Sequence, residues 1–149
     1  MYLGSCGCHR QELLLQHRVM NSLIAVAKTA IDIPDERKAE RKPAVQNQLK
    51  GLVLPPEFSL PLNPQWVCKG VTAEKAKAMD SKKVPLWLEF ENIEEGAPAF
   101  VTLFKSGDDL RQDLLTLQLL RIMDTIWKTE GLDLQVIPYG CVSTGHDLG

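Results

Sequence analysis

Lys105 closes the apolar run Ala99 to Lys105, which reads AFVTLFK. In a strand, successive side chains alternate between faces. Phe100, Thr102 and Phe104 then share one face, and Val101, Leu103 and Lys105 share the other. A partly buried lysine at the end of such a strand needs an anionic partner. Asp113 follows eight residues later and could reach back from the next element. A strand lysine held by an acidic group is a device for gripping nucleotide phosphates. The same spacing also fits a strand-end lysine in a surface salt bridge worth about 0–1 kcal/mol. A second cluster is MDSKKVPLW, residues 79–87. A loop here could offer backbone N–H groups, the Ser81 hydroxyl and the charges of Lys82 and Lys83 to phosphates. It has neither the glycine pattern of protein kinases nor a GxxxxGK[ST] motif, and on spacing alone an exposed basic turn is the simpler reading. Tyr139 stands in a Pro-Tyr-Gly turn, where a buried tyrosine with a locally bonded hydroxyl is the usual arrangement.

These residues need elements to hold them. The PLWLEF stretch, Pro85 to Phe90, alternates Leu86, Leu88 and Phe90 with Trp87 and Glu89, so it predicts a strand. Gly70 to Ala78 is a weaker strand candidate, and Asn92 to Pro98 a turn. Ser106 to Asp109 opens the strongest helix, with Asp109 and Gln112 spaced as a capping box. Leu115, Leu119, Ile122 and Ile126 form one apolar row. Leu110, Leu114, Leu117, Leu120 and Trp127 form another. Two rows predict a helix buried over much of its circumference and packed on a sheet. Gly131 should stop it. Two short strands are expected at Leu134 to Ile137 and Gly140 to Val142.

Upstream the pattern is helical. Leu15, Val19, Leu23, Val26 and Ala30 recur at spacings of three and four, and Ile31-Asp-Ile-Pro34 ends the run. The charged DERKAERK, residues 35–42, predicts a solvated linker or exposed helical turn. A short helix with Val45, Leu49 and Leu52 on one side follows. Pro55, Pro56, Pro61 and Pro64 then predict an extended, stiffened connector and a boundary between Leu54 and Trp66. The expected organisation is helices over 1–54, a proline-rich connector over 55–66, and a sheet-and-helix domain over 67–149.

With 149 residues, 44% hydrophobic and 24% charged, the chain can bury one ordinary core. A net charge of -2 gives no sign of a nucleic-acid partner. Cys6, Cys8, Cys68 and Cys141 lack the paired spacing of a zinc ribbon; His9 beside Cys8 could suggest a metal, but two plain buried or surface thiols are the simpler reading. The thiols read as reduced, no metal site is expected, and the expected compartment is the cytoplasm. No stretch approaches the roughly 18 apolar residues of a membrane span, and the start lacks the pattern of a secretory signal.

Three blocks in order carry a resemblance. FKSGDDLRQDLLTLQ, residues 104–118, resembles the strand-to-helix signature of the phosphoinositide 3- and 4-kinases. GLDLQVIPYGCVSTG, residues 131–145, resembles the segment that follows it in class I 3-kinases. MDSKKVPLWLEF, residues 79–90, resembles their phosphate loop and second strand. With the connector LPPEFSLPLNP, the wording is most similar to the gamma isoform. The resemblance implies an α+β fold, a protein-kinase-like N-lobe of antiparallel sheet plus one long helix, preceded by helices from the end of an α-helical domain.

The resemblance also implies roles. Lys105 matches the ATP-phosphate lysine, which covalent furanosteroid inhibitors modify. Asp113 and Tyr139 match the acid and tyrosine at the back of the adenine pocket. Met79, Pro85 and Trp87 match its walls, Leu103 the residue beneath it, and Ser81 a phosphate-contacting serine. Asp80, Lys82 and Lys83 fall in the phosphate loop. Asp80 departs from the family's small residue, adding negative charge near phosphates, and Val84 stands where a third lysine is common. The implied cofactor is ATP with Mg2+. The implied substrate is a phosphoinositide, and the implied partners are regulatory or adaptor subunits and small or heterotrimeric G proteins at the plasma membrane. No Asp-Arg-His or Asp-Phe-Gly occurs in the sequence. The expectation is therefore a fragment of the enzyme with no catalytic residues of its own, inactive alone. The alternative is a truncated, non-catalytic interaction module.

Overall fold

The computed structural model describes residues 7–145. Cys6 and the start of the chain lie outside the described residues, as does the Cys8 side chain. The chain divides after Ser106 into two units.

In the first unit, α1 spans Arg10–Asp32 and α2 spans Arg41–Lys50. The buried face of α1 holds Val19, Leu23, Val26, Ala27 and Ala30, close to the row predicted from periodicity. The helix ends at Asp32 because Ile33 turns extended, with φ -80° and ψ 116°, ahead of Pro34. A 3-10 turn, Asp35–Glu40, then leads into α2. The charged stretch is not wholly solvated. Arg41 is buried, and its guanidinium donates to the Ile33 carbonyl at 2.7 and 3.1 Å and to Asp35 Oδ1 at 2.7 Å. It satisfies a carbonyl orphaned by the end of α1.

The proline-rich stretch carries more structure than a connector. Strand β1, Phe58–Leu60, forms an antiparallel pair with β2, Asn63–Val71. Prolines at 55, 56, 61 and 64 fall outside β1 or next to the start of β2, where a missing donor does little harm. Strand β3, Lys77–Ala78, precedes β4, Leu86–Asn92, and β5, Phe100–Phe104. All recorded strand pairs are antiparallel. Strand β4 is central: Leu86 pairs with Ala78 and Phe104, while Phe90 pairs with Val71 and Phe100. Strands β2 and β3 therefore share one edge of β4, and β5 occupies the other.

The strand predicted over Gly70 to Ala78 is broken by a 3-10 turn, Ala73–Lys75. Gln46 of α2 donates to the carbonyls of Glu74 and Ala76 at 2.7 and 3.2 Å, satisfying the backbone there.

The inward face of the sheet carries Leu86, Leu88 and Phe90 at 0–1% exposure, with Phe104 at 5%. They join Val19, Leu23, Val26, Val45 and Leu49 in one buried cluster. Phe58 meets Phe90 edge to face, with centroids 6.1 Å apart. Buried Gln16 of α1 donates to Ser59 Oγ at 2.8 Å, and that hydroxyl donates to Glu12 at 2.7 Å.

In the second unit, α3 spans Arg111–Thr129. The expected capping box is absent. Leu110 is the N-cap, with no side-chain cap, and Asp109 accepts the Arg111 N–H at 3.1 Å while paired with the Arg111 guanidinium. At the other end Gly131 has φ 79°. Its N–H reaches the Lys128 carbonyl at 3.1 Å, and the Leu132 N–H reaches the Trp127 carbonyl at 2.8 Å. These two bonds form a Schellman stop, which a left-handed glycine makes cheaply.

The expected burial of both apolar rows is corrected. Leu110 and Leu117 are buried, whereas Leu115, Leu119, Ile122 and Ile126 are 52–58% exposed. Periodicity identifies an apolar face, and only packing decides whether something covers it. The two strands expected after α3 do not form. Gln135 adopts φ 53°, which breaks extended geometry inside the first of them. Among the described residues, no helix is long and apolar enough to cross a membrane.

Candidate functional site

The sequence-predicted residues of the first unit gather on the outward face of the sheet and on the loop between β3 and β4. Cross-strand register sets the face. Lys77 opposes Trp87, and Trp87 opposes Leu103, so these three form one row across β3, β4 and β5. The next row, Ala78, Leu86 and Phe104, points the other way into the core. Leu103 remains 50% exposed, Val101 45% and Met79 40%. Glu89 lies on this face too, paired with Lys75. Lys105 follows Phe104 directly and is half-buried, the position the alternation assigns beyond Leu103. The result is an apolar, solvent-facing patch bordered by lysines.

The loop is a tight reversal. The Met79 N–H donates to the Pro85 carbonyl at 2.8 Å, extending the β3–β4 ladder by one step. The Ser81 N–H donates to the Met79 carbonyl at 3.0 Å, and the Val84 N–H to the Ser81 carbonyl at 2.9 Å. These amides are engaged inside the turn, so the loop's outward donors include the Ser81 hydroxyl and the ammonium groups of Lys82 and Lys83, all exposed. Val84 and Pro85 are buried beneath them. Val84 sits at φ 44°, a costly conformation for a β-branched residue, held by its buried side chain and its amide bond.

Asp80, exposed on the loop, accepts from Lys38 Nζ at 2.6 Å. The hydrogen bond and charge of Lys38 hold the Asp80 carboxyl below its usual 3.8. Reciprocally, Asp80 raises the Lys38 ammonium above its usual 10.5. Lys38 was not legible as a site residue. It lies 42 positions before Asp80, inside a charged run whose composition says only that it is solvated.

Asp113 and Tyr139 belong to the second unit. Asp113 lies half-buried in the first turn of α3. Tyr139 is 64% exposed, not the buried tyrosine that its turn suggested, and its carbonyl accepts from Arg121 at 3.4 Å. Among the described residues, no group of three or more His, Cys, Asp or Glu is gathered for a metal.

Comparison with known proteins gives this arrangement a context. Residues 99–149 match the family of phosphatidylinositol 3- and 4-kinases. Over 148 residues, 99% of the chain, it is 49% identical to Phosphatidylinositol 3-kinase 2 of Dictyostelium discoideum and 47% identical to Phosphatidylinositol 3-kinase 1 of that organism. Phosphatidylinositol 3-kinase 3 of the same organism is 43% identical over 133 residues, 89% of the chain. The chain spans only 8–9% of the length of these relatives. Residues 99–149 thus match the phosphatidylinositol 3- and 4-kinase family, and nearly the whole chain is similar to a short stretch of phosphatidylinositol 3-kinases.

Proposed function

We propose that this chain forms the ATP-facing N-lobe of a class I, gamma-like phosphatidylinositol 3-kinase catalytic subunit. The whole enzyme would transfer the γ-phosphate of ATP to the 3-hydroxyl of a phosphoinositide. The observation that carries this reading is the outward row of Trp87 and Leu103, with Met79 beside it and Lys105 at its end. An exposed apolar face of this kind suits a flat, aromatic base, and lysines at its margin suit the phosphates attached to it.

In this reading Trp87, Met79 and Pro85 wall the adenine, and Leu103 lies beneath it. Lys105 binds phosphate. Ser81, Lys82 and Lys83 face the phosphates, and Asp113 and Tyr139 keep the roles that the resemblance implies for them, the acid and the tyrosine of the adenine pocket. Mg2+ would accompany ATP and neutralise phosphate charge, with its ligands outside this chain. Transfer itself needs an oriented hydroxyl and a metal-bound nucleotide, so we assign it to the whole enzyme and expect none from this chain alone. Regulatory or adaptor subunits, G proteins and recruitment from the cytoplasm to the plasma membrane belong to the same proposal.

The test is nucleotide binding, read through the change in tryptophan fluorescence that Trp87→Phe should abolish. Lys105→Met should weaken ATP binding by about 10- to 150-fold, the loss of one charged hydrogen bond of about 1.5–3 kcal/mol. Unchanged affinity in Lys105→Met and in Leu103→Glu would reject the site. A second reading, a non-catalytic module that binds another protein, is favoured by the exposed row Leu115, Leu119, Ile122 and Ile126 of α3. It predicts capture of a kinase regulatory subunit by a chain that binds no ATP.

A further inference from the structure

Asp80 puts a carboxylate into a loop otherwise suited to anions, next to Ser81, Lys82 and Lys83. Its side chain is 74% exposed, so its charge acts on whatever approaches the loop. A polyphosphate arriving there would be repelled unless that charge were compensated.

The compensation comes from outside the sheet. Lys38 stands in the 3-10 turn between α1 and α2 and donates to Asp80 Oδ2 at 2.6 Å. That turn is itself anchored, because the buried Arg41 ties its base to the Ile33 carbonyl and to Asp35. A cleft of about 570 Å³ separates this corner from the loop, with Ile33, Pro34 and Arg41 on one wall and Ser81, Lys82 and Val84 on the other. The Lys38–Asp80 pair joins the two walls, linking an anchored turn to a loop whose backbone is strained at Val84.

We infer that Lys38 is a positioning residue for the nucleotide loop. It masks the Asp80 carboxylate and tethers the loop, so that phosphates meet Ser81, Lys82 and Lys83 without opposing charge. Lys38 acts through Asp80 and does not touch the nucleotide. The inference rests on the proposed ATP reading for its functional half. The tether stands on geometry alone.

The experiment uses the chain with Lys38→Met, Lys38→Arg, Asp80→Ser and the double substitution K38M/D80S. Two quantities are read: ATP affinity at low and high salt, and hydrogen exchange at the Ser81 and Val84 amides. Lys38→Met should weaken ATP binding about three- to tenfold at low salt, and the effect should shrink at high salt as the exposed charge is screened. Asp80→Ser should bind no more weakly than the parent, and K38M/D80S should match Asp80→Ser. Lys38→Arg should retain parental affinity. Exchange at both amides should quicken in Lys38→Met, Asp80→Ser and the double variant alike. If Lys38→Met weakened ATP binding equally with and without Asp80, Lys38 would act on the nucleotide directly and the inference would fail. Parental exchange and affinity in Lys38→Met would also overturn it. If the parent chain bound no ATP, the nucleotide reading would fall separately. The tether would then stand or fall on the exchange rates.

Discussion

Leu88 and Leu103 lie on neighbouring strands of one sheet and point to opposite faces, so truncating each to alanine should give opposite results. Leu88 is 0% exposed and packs in the cluster shared with α1 and α2. Leu88→Ala removes its methyl groups and leaves a cavity, at a cost of about 2–5 kcal/mol. Leu103 is 50% exposed. Complete burial of a leucine contributes about 1.5–3 kcal/mol, so Leu103→Ala should cost about 1 kcal/mol or less. Urea unfolding followed by tryptophan fluorescence separates the two. With a slope of about 2 kcal/mol/M, Leu88→Ala should move the midpoint by roughly 1–2.5 M and Leu103→Ala by about 0.5 M or less. ATP titration should rank them the other way for molecules that remain folded. Leu103→Ala loses an apolar contact worth about 1 kcal/mol, or roughly fivefold in affinity, while folded Leu88→Ala keeps the site. The reasoning is refuted if Leu103→Ala destabilises as much as Leu88→Ala, because both side chains would then face the core. It is also refuted if Leu88→Ala costs less than about 1 kcal/mol.

Two further predictions follow from single residues. Gly131→Ala places a Cβ in open space but in a left-handed conformation, with φ 79°. The cost should be the backbone alone, about 1–2 kcal/mol, seen as faster exchange at the Leu132 amide; an unchanged rate would mean that the Schellman stop does not hold the helix end. Cys68 is fully buried, and burial pushes its thiol from 9.0 up to about 12. At pH 8 its thiolate should be about a thousandfold scarcer than an ordinary thiol's, so alkylation followed by mass spectrometry should find Cys68 unlabelled until the chain unfolds. Because the folded value is raised, this group's contribution is complete below pH 9.0 and drains away as pH rises toward about 12. Rapid labelling of the folded chain would contradict the burial.

Alternation and period carried much of the fold. Alternation separated Leu86, Leu88 and Phe90 from Trp87, and Phe104 from Leu103, and the structure turns the first of each inward and the second outward. These are local rules, because adjacent side chains in a strand must diverge whatever the rest of the chain does. The end of α1 before Pro34 and the stop at Gly131 were equally local, each fixed by the dihedral freedom of one residue. Local rules also misled. Asp109 and Gln112 have capping-box spacing without the box, and the run after Gly131 has strand-like residues interrupted by the left-handed Gln135.

What only the tertiary structure decided concerns residues distant in sequence. Strands β2 and β3 share one edge of β4, and Gln46 of α2, distant in sequence, satisfies the backbone where the chain breaks between them. Arg41 is buried because the end of α1 presents it with a carbonyl. Lys38 meets Asp80 because a turn and a loop 42 residues apart flank one cleft. Composition could report only that Lys38, Arg41 and Asp80 were charged. Which charge finds which partner is set by where the backbone carries them, and the backbone's path is a property of the whole core.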